Sequence, residues 1–365
     1  MNDLPKLLYD RAKQVLLVRG RSSDAIPRVR EILRELGVEF TEFEVHYEPT
    51  VALIRVGVDA ARGCDMVIGL GGGSVLDAGK AIAILATNPG DVLDYLEVVG
   101  RGQAFTNPSL PYIAIPTTAG TGTEVTRNAV IESPEHGVKA SLRSPMMLPE
   151  VALVDPELTY SLPPTITATS GLDALTQLIE PFVSVKSNPM TDAICREGIR
   201  HAARSLRRAY VNGADKEARE GMSLASLFGG MALANAGLGA VHGFAGPLGG
   251  VLHAPHGAIC ARLLPLVMET NIRALEARET SHPARAKYDA VAQMVTGNPQ
   301  AVASNGVEWI SQLVDDLKVA PLSVYGMKRS HFPEAVAKTL KASSFKGNPI
   351  LLTEGELLGI LERAL

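Results

Sequence analysis

Short apolar segments alternate with amphipathic helical segments through the N-terminal part of the chain, and this alternation restricts the possible folds more than any other feature. A short continuous apolar run fits a strand that is buried on both faces, as in a parallel sheet. Strands that alternate with helices need crossover connections, which build a parallel, doubly wound sheet. We predict strands at Gln14–Val18, Phe40–Val45, Met66–Leu70, Tyr112–Ile115 and Val151–Val154, with helices at Ile26–Leu36 and Thr50–Arg62.

The pattern changes after Leu162-Pro163-Pro164, where the strand signals end. From about Thr165 to the C-terminus the apolar residues recur with helical periodicity almost throughout. A chain of 365 residues is long enough to bury two hydrophobic cores. We therefore predict an α/β domain over residues 1–160 and an all-helical domain over residues 161–365.

Composition and charge exclude several classes of protein. The net charge is −4 and no basic block stands out, which argues against a nucleic-acid partner. No apolar run reaches the length of about 18 residues that a membrane span needs, and no signal peptide opens the sequence. Cys64, Cys195 and Cys260 lie far apart without a CxxC motif, as is typical of reduced thiols. We expect a cytoplasmic protein without nucleic-acid or membrane partners.

A glycine-rich turn, Gly71-Gly72-Gly73-Ser74, follows the third predicted strand and leads into a helix. The first backbone N–H groups of a helix and its dipole attract an anion, and glycine lets a phosphate approach the main chain. A tight strand-to-helix turn without a ligand can have the same sequence. The turn also lacks the third glycine of G-x-G-x-x-G and follows a later strand than that motif does. It favours a phosphate site of a less common kind.

A second polar loop, Thr117–Thr123, follows the predicted strand Tyr112–Ile115. It carries four threonine hydroxyls and two glycines at the carboxyl end of a parallel strand, where open α/β sheets bind ligands. Two neighbouring loops of this kind suit a long phosphate-bearing ligand. Lys139 can add a positive charge, although a single lysine is more often only solvated.

The segment Val241–Gly257, VHGFAGPLGGVLHAPHG, carries three histidines among small and apolar residues. Each histidine alone is more often a satisfied core or loop residue than a metal ligand. Asp173, however, lies in another apolar, helix-like segment, and a buried carboxylate is costly unless it is paired or binds a cation. An aspartate and two histidines from separate helices form a divalent-metal set.

Five ordered motifs give the chain a specific resemblance. It resembles the iron-containing (group III) alcohol dehydrogenase family over nearly its whole length. The motifs are GLGGGSVLDAGKA at 69–81, PTTAGTGTEVT at 116–126, VALVDPEL at 151–158, GLDALTQ at 171–177 and VHGFAGPLGGVLHAPHG at 241–257. The resemblance implies a dinucleotide-binding α/β domain, an all-helical domain, and a metal and nicotinamide site in the cleft between them. It also implies hydride transfer between NAD(P) and an alcohol or aldehyde, and a homodimer.

The resemblance assigns residues to each site. Asp173, His242 and His256 match metal ligands for one divalent ion, Fe2+ or Zn2+, and act on the substrate through it. A divalent ion acts as a Lewis acid on the substrate oxygen. The residues that match cofactor contacts are Gly72, Gly73, Ser74 and Asp77 for the pyrophosphate and adjoining ribose, and Thr117, Thr118, Thr121, Asn128 and Lys139 for further contacts.

The chain departs from the family pattern at three places. The usual second ligand, a histidine four residues after the aspartate, is Gln177, a weaker neutral ligand on the same helix face. A further histidine of the family is replaced by Gly246, and His253 is a possible substitute for it. The strand and glycine turn that usually precede the first helix are absent from the chain, as in a truncated protein.

The residue that follows the first strand bears on the choice of cofactor. An acidic residue there would accept hydrogen bonds from the adenosine ribose and repel a 2′-phosphate. The family alignment places Gly20 there, flanked by Arg19 and Arg21 and followed by Ser22. We expect NADPH to bind at least as well as NADH, whereas a solvated turn that never meets the cofactor would give no such preference.

Four functions are compatible with these residues, and a metal-dependent NAD(P) alcohol dehydrogenase or aldehyde reductase leads. The second is a metal-free NAD(P)H reductase of an oxo acid, similar to maleylacetate reductase. The third is a lyase of the dehydroquinate-synthase type, which needs several basic residues where the chain offers chiefly Arg262. The fourth is a binding protein without turnover. Phe244, Leu248 and Leu252 are expected to line the cleft, which favours an uncharged alcohol or aldehyde.

Overall fold

Five parallel strands form the main sheet in a computed structural model of the chain, which describes residues 1–21, 23–252 and 254–365. The strands are β1 (Gln14–Arg19), β2 (Glu39–Glu44), β3 (Met66–Gly71), β4 (Tyr112–Pro116) and β7 (Val151–Ala152), in the order β2-β1-β3-β4-β7. The helices of this part are α1 (Leu4–Leu8), α2 (Ala25–Glu35), α3 (Val51–Ala60), α4 (Gly73–Leu85) and α5 (Val92–Tyr95).

Burial explains the order of these elements. Every residue of β3 is buried, and α4 is buried along nearly its whole length because it packs on the sheet. A continuous apolar strand and a helix that is buried along most of its length belong in the middle of such a layer. The predicted parallel, doubly wound sheet is thereby confirmed, with β7 shorter than the predicted Val151–Val154.

An antiparallel hairpin is present that was not among the predicted strands. Strands β5 (Asn128–Ser133) and β6 (Val138–Arg143) pair with each other, and Gly137 joins them with φ +61°. Ala129, Ile131, Ala140 and Leu142 point from the hairpin into the core beneath α4. The apolar run in β5 is only three residues long, and in β6 the apolar residues alternate with polar ones, so the strand signal is weak.

The rest of the chain is helical, as predicted. Its elements are α6 (Pro164–Val183), α7 (Pro189–Val211), α8 (Lys216–Ala236), α9 (Ala240–Leu252), α10 (His256–Arg278), α11 (Ala284–Thr296), α12 (Ala303–Asp316), α13 (Phe332–Lys341) and α14 (Glu354–Ala364). No single helix among the described residues has the length and apolarity to cross a membrane. Helices α8 and α9 reach that length and apolarity only when they are taken together, and the chain bends by 100° between them.

The chain divides into two compact units. The first comprises Met1–Thr118 and Thr123–Ser161, and the second comprises Ala119–Gly122 and Leu162–Leu365. The short piece Ala119–Gly122 joins the helical unit because it packs there: a Cβ on Gly122 would lie 2.5 Å from the Cα of Gly230.

Candidate metal and cofactor sites

One face of α6 carries three polar side chains into the helical core. Asp173, Gln177 and Glu180 follow one another at spacings of four and three residues, which places them on the same side of the helix. Asp173 is 2% exposed and Gln177 3%. Polar groups buried to this degree need partners, because an unpaired one costs free energy.

The break between α8 and α9 positions His242 against this face. Gly237 ends α8 with φ +70°, and α9 begins at Ala240. A Cβ on Gly239 would lie 2.8 Å from Glu180 Oε1, so glycine permits the close approach of the two segments. Glu180 Oε1 accepts a hydrogen bond from the Val241 backbone N–H at 2.7 Å, and His242 Nδ1 lies 2.6 Å from Glu180 Oε2.

His256 and Cys260 complete the cluster from α10. His256 is the first residue of the helix and Cys260 follows one turn later, so both lie on one face. Asp173 Oδ1 lies 3.4 Å from His242 Nε2 and 3.8 Å from His256 Nε2. One ligand atom from each of Asp173, His242, His256 and Cys260 lies within 4.8 Å of the others.

The cluster has the properties of a cation site. Among the described residues, the buried side-chain atoms without a hydrogen-bond partner are Asp173 Oδ1 and Gln177 Oε1. Both are oxygens with lone pairs, and the proton of His242 is directed to Glu180 from the other side of the ring. A divalent ion would satisfy these lone pairs, so the residues present fit the metal that the sequence predicts.

Charge in the cluster also favours a cation. Burial opposes protonation of both histidines, but the Cys260 sulfur and Asp173 outweigh it, raising the pKa of His242 well above its usual value and that of His256 to about 9. Burial also works against ionisation of Asp173, yet His242 and His256 keep its pKa below the usual value. Positive charge is therefore stabilised here, whether protons or a metal ion carry it.

A second candidate site lies at the carboxyl edge of the parallel sheet. Register pairs Arg19 with Leu70 and Gly71 with Pro116, so the chain leaves β1, β3 and β4 at the same edge. Gly72 is the N-cap of α4, and a Cβ on it would lie 3.3 Å from Thr118 Cγ2. The glycine turn (Gly71–Ser74) and the threonine loop (Thr117–Thr123) are therefore neighbours, as the strand order requires.

The other predicted cofactor residues lie as follows. Gly20 adjoins α4, since a Cβ there would meet Val75 at 3.6 Å. Gly73 and Ser74 open α4, and Thr117 donates its backbone N–H to Gly71 O at 2.9 Å. Thr121 belongs to the second, helical unit, whereas Thr117 and Thr118 belong to the first unit, which contains the parallel sheet. Ser22 lies outside the described residues.

Asp77, Asn128 and Lys139 have partners within the chain. Asp77 accepts hydrogen bonds from the Thr123 hydroxyl and, at 2.9 Å, from the Val130 N–H. Asn128 accepts one from Lys80 through its backbone oxygen, and Lys139 forms an ion pair with Glu48. The cofactor roles of these three residues stay predictions, because these contacts stabilise the hairpin in the absence of a ligand.

Lys80 is a buried cation that the sequence analysis did not single out. Its Nζ donates to Thr123 O at 2.9 Å and to Thr126 Oγ1 at 3.0 Å, and it lies 3.3 Å from Asp77. It ties α4 to the segment before β5. Desolvation lowers the pKa of Lys80, while Asp77 opposes that change. The sequence signal that could have indicated this buried ion pair is the spacing of three residues between the aspartate and the lysine in a predicted helix.

Glu124, in the same segment, is expected to make stability depend on pH. Burial raises the pKa of Glu124 to about 7, so the folded protein keeps a proton that the unfolded chain loses near its ordinary pKa of 4.5. The free energy of unfolding should therefore fall as pH rises from about 4.5 to 7 and stay constant above about pH 7. The expected fall is about 3 kcal/mol, because one pKa unit corresponds to about 1.4 kcal/mol. Urea unfolding of Glu124→Gln and of the parent protein at pH 5 and pH 8 measures this fall. The variant should lose less stability between the two pH values than the parent does. Equal losses in the two proteins would contradict the role of Glu124.

Comparison with known proteins identifies the family. A family model described as iron-containing alcohol dehydrogenase matches residues 1–156, and one described as the C-terminal part of the Fe-containing alcohol dehydrogenase family matches residues 167–365. The chain belongs to the iron-containing alcohol dehydrogenase family. The resemblance inferred from the five motifs is thus confirmed, and so is the function: this is a metal-dependent oxidoreductase that transfers a hydride between NAD(P) and an alcohol or aldehyde.

Individual relatives agree with this assignment. Alcohol dehydrogenase 4 of Schizosaccharomyces pombe is 37% identical over 93% of this chain and 78% of its own length. A 1,3-propanediol dehydrogenase of Klebsiella pneumoniae is 36% identical over 96% of this chain and 91% of its own. A crystal structure of a 1,3-propanediol oxidoreductase superposes with TM-score 0.91 at 35% identity, covering 99% of this chain and 96% of that one.

Set against the family pattern, the metal cluster has both predicted and unpredicted members. The structure brings Asp173, His242 and His256 together, whereas Gln177 Nε2 donates to Asp173 Oδ2 at 2.9 Å. Glu180 and Cys260 were missed, although each lies at helical spacing from a predicted ligand. A Cβ on Gly246 would meet nothing within 4 Å, and His253 lies outside the described residues.

Proposed function

We propose that this alcohol dehydrogenase holds one divalent ion, Fe2+ or Zn2+, through Asp173, His242 and His256, with Gln177 beside them as a weak fourth ligand. The unpartnered Oδ1 of Asp173, facing two imidazole nitrogens, is the observation that carries the proposal. When bound, such an ion polarises the oxygen of the alcohol or aldehyde and favours hydride transfer.

Glu180 positions His242 for this task. Its Oε2 accepts the Nδ1 proton, which leaves Nε2, on the side of Asp173, as the nitrogen that would ligate an ion. Its Oε1 accepts the Val241 N–H, so the carboxylate cannot rotate freely. A carboxylate behind a ligating imidazole fixes the ring and raises its basicity.

The cofactor proposal rests on the edge of the parallel sheet. Gly72, Gly73 and Ser74 lie at the start of α4, where helix N–H groups and the helix dipole favour a pyrophosphate. Thr118 adjoins this turn and offers a hydroxyl. The remaining assigned contacts, including Thr117, Thr121, Asp77, Asn128 and Lys139, are proposed from the family pattern.

NADPH is expected to bind at least as tightly as NADH. Gly20 brings no carboxylate to the end of β1, and Arg21 is exposed beside it, whereas Arg19 is engaged by Glu42 at 2.6 Å and Glu44 at 2.9 Å. Arg21 is therefore the cation available to a 2′-phosphate. Dissociation constants from fluorescence titration of both cofactors test this, with Arg21→Ala expected to weaken NADPH alone. A large preference for NADH would contradict it.

The proposed substrate is a small uncharged alcohol or aldehyde. Phe244, Leu248 and Leu252, expected to line a cleft, are buried in the helical core instead and give no support. Support comes from Arg262, which donates to the backbone oxygens of Arg363 and Ala364 on α14 and so is engaged away from an acidic substrate. Two relatives also support an alcohol substrate, since one is named an alcohol dehydrogenase and the other a 1,3-propanediol dehydrogenase.

Metal analysis and a substrate panel test the whole proposal. Protein purified without chelator should contain up to one Fe2+ or Zn2+ per chain, and chelator should abolish activity that reloading restores. The panel compares alcohols, aldehydes and one oxo acid with both cofactors. Full activity on the oxo acid after complete metal removal would favour the metal-free reductase instead.

The proposal includes a cytoplasmic homodimer. Cys64, Cys195 and Cys260 are free thiols, in keeping with a reducing compartment. Strand β2 pairs only with β1 among the described strands, which leaves an edge that a second copy can cover. Sedimentation velocity measures the oligomeric state, and cell fractionation measures the location.

A further inference from the structure

The family's third imidazole is missing from the metal cluster, and the side chain in its place faces Asp173. Gln177 Nε2 donates to Asp173 Oδ2 at 2.9 Å. Turning the amide over would put its oxygen against the carboxylate, so this orientation is fixed by electrostatics. Gln177 therefore orients Asp173 through its amide nitrogen and offers at most its neutral oxygen Oε1 as a weak ligand, so a strong fourth donor has to come from another residue.

Cys260 lies where such a donor is required. Its Sγ is 3.5 Å from His256 Nε2 and 3.9 Å from His242 Nε2, and the residue is fully buried. It reaches the cluster because it lies one turn after His256 on α10. The other two cysteines, Cys64 and Cys195, are not part of the cluster.

The separations within the cluster match a tetrahedral ion. Bonds of about 2.0 to 2.3 Å to nitrogen, oxygen and sulfur place donor atoms about 3.3 to 3.6 Å apart. The measured separations are 3.4 Å and 3.8 Å from Asp173 Oδ1 to the two histidines, and 3.5 Å and 3.9 Å from Cys260 Sγ to them. These four separations lie within a few tenths of an ångström of the tetrahedral range, and the remaining pairs of donor atoms lie within 4.8 Å of each other.

With neutral imidazoles, the form that binds a metal, the protons in the cluster do not suffice for its lone pairs. The Nδ1 proton of His242 is directed to Glu180, and Asp173 Oδ1 has no hydrogen-bond partner. A single thiol proton on Cys260 can satisfy one acceptor only. A divalent ion with a thiolate satisfies all four donors, and the two negative charges of Asp173 and Cys260 balance the charge of the ion.

We propose that Cys260 ligates the metal as a thiolate in place of the family's imidazole at Gln177, giving an Asp173, His242, His256 and Cys260 centre that selects zinc over Fe2+. This inference rests on the proposed metal site. Loading the centre releases the thiol proton to solvent. A thiolate is a softer donor than imidazole or carboxylate, so it strengthens the preference of the site for zinc over Fe2+. The side chain of His256 is 40% exposed, so a substrate oxygen can approach from that side, where it would have to join the four donors as a fifth ligand.

Cobalt substitution tests the ligand directly. Apo-protein is titrated with Co2+ while visible d–d bands and elemental analysis report binding of one ion per chain. The expected result is an additional intense thiolate-to-cobalt absorption in the near ultraviolet. Cys260→Ala should lose that absorption. It should also weaken the retention of zinc by more than about 100-fold, because loss of a residue that only hydrogen-bonds to a ligand costs about 10- to 100-fold.

Two matched variants serve as controls. Cys195→Ala removes an equally buried cysteine of the same unit, where burial raises the pKa of the thiol to about 12, and should keep the thiolate absorption. Gln177→Ala should keep it as well, with at most the smaller loss of retention. Circular dichroism verifies that each variant is folded.

The outcomes separate this inference from the proposed function. One cobalt per chain without the near-ultraviolet absorption would overturn ligation by Cys260 and leave the metal-dependent function standing. Loss of cobalt in Gln177→Ala but not in Cys260→Ala would assign the fourth position to glutamine and overturn it too. Failure of the parent protein to bind cobalt, zinc or iron would remove both. Equal uptake of zinc and Fe2+ from an anaerobic equimolar mixture would overturn the selectivity.

Discussion

Replacing His256 with alanine should remove the divalent ion and leave the helical unit folded. His256 is the first residue of α10, and its side chain is 40% exposed, so truncation creates no buried cavity. It nonetheless supplies one nitrogen to the cluster of four donors. A metal that polarises the substrate oxygen contributes several kcal/mol, and 1.4 kcal/mol is about tenfold in rate, so kcat/KM should fall by about 1,000-fold or more.

The measurement pairs elemental analysis after dialysis against chelator with initial rates. His201→Ala is the matched control, because His201 is a partly exposed helical histidine of the same unit whose ion-pair partner among the described residues is Glu197, at 3.5 Å. It should retain both metal and activity. Undiminished activity in His256→Ala, with no metal bound, would show that the reaction proceeds without the ion.

Much of the fold was accessible from the sequence because burial leaves a direct trace there. Strand β3 is buried on both faces, and its uninterrupted apolar run was recognised. The hairpin of β5 and β6 has one buried face, and its apolar runs are too short and too mixed with polar residues to have been recognised as strands. The helical unit was recognised from periodicity, since helices such as α7 bury one stripe and expose the other.

The metal cluster shows where sequence reasoning stops. Asp173, His242 and His256 were found because their residue types and order match a family pattern. Glu180 and Cys260 lie at helical spacing from those ligands, but a spacing alone does not distinguish a side chain that faces the ion from one that faces another helix. Only the break at Gly237 and the close approach at Gly239 decide that His242 meets Glu180.

Gly246 and Arg262 illustrate a different limit. The sequence shows that a family histidine is absent at Gly246, but the space around that position emerges only in three dimensions. Arg262 was the obvious basic residue near the ligands, and it is engaged by the end of α14, more than a hundred positions away in sequence. Long-range contacts of single side chains carry no periodic signal, so they cannot be predicted from local patterns.

Replacing Gly72 with valine should abolish dinucleotide binding while the parallel sheet stays intact. Gly72 has φ −77°, which any residue adopts, so valine introduces no backbone strain. Its Cβ would lie 3.3 Å from Thr118 Cγ2 and 3.5 Å from Thr118 Oγ1, a tight contact that a small shift of the threonine relieves. The two added methyl groups would then fill the space between the glycine turn and the threonine loop, where the pyrophosphate is proposed to lie.

The dissociation constants of NADH and NADPH should both rise by about 100-fold or more, about 3 kcal/mol of lost binding free energy. Gly72→Ala should give an intermediate loss, because it adds only the Cβ. The matched control is Gly355→Val on α14, where a Cβ meets nothing within 4 Å and binding should be unchanged. A folded Gly72→Val protein that binds both cofactors normally would show that the pyrophosphate lies elsewhere on the sheet edge. The graded series therefore distinguishes lost space at the turn from a general loss of stability, since only the former follows side-chain size at this one glycine.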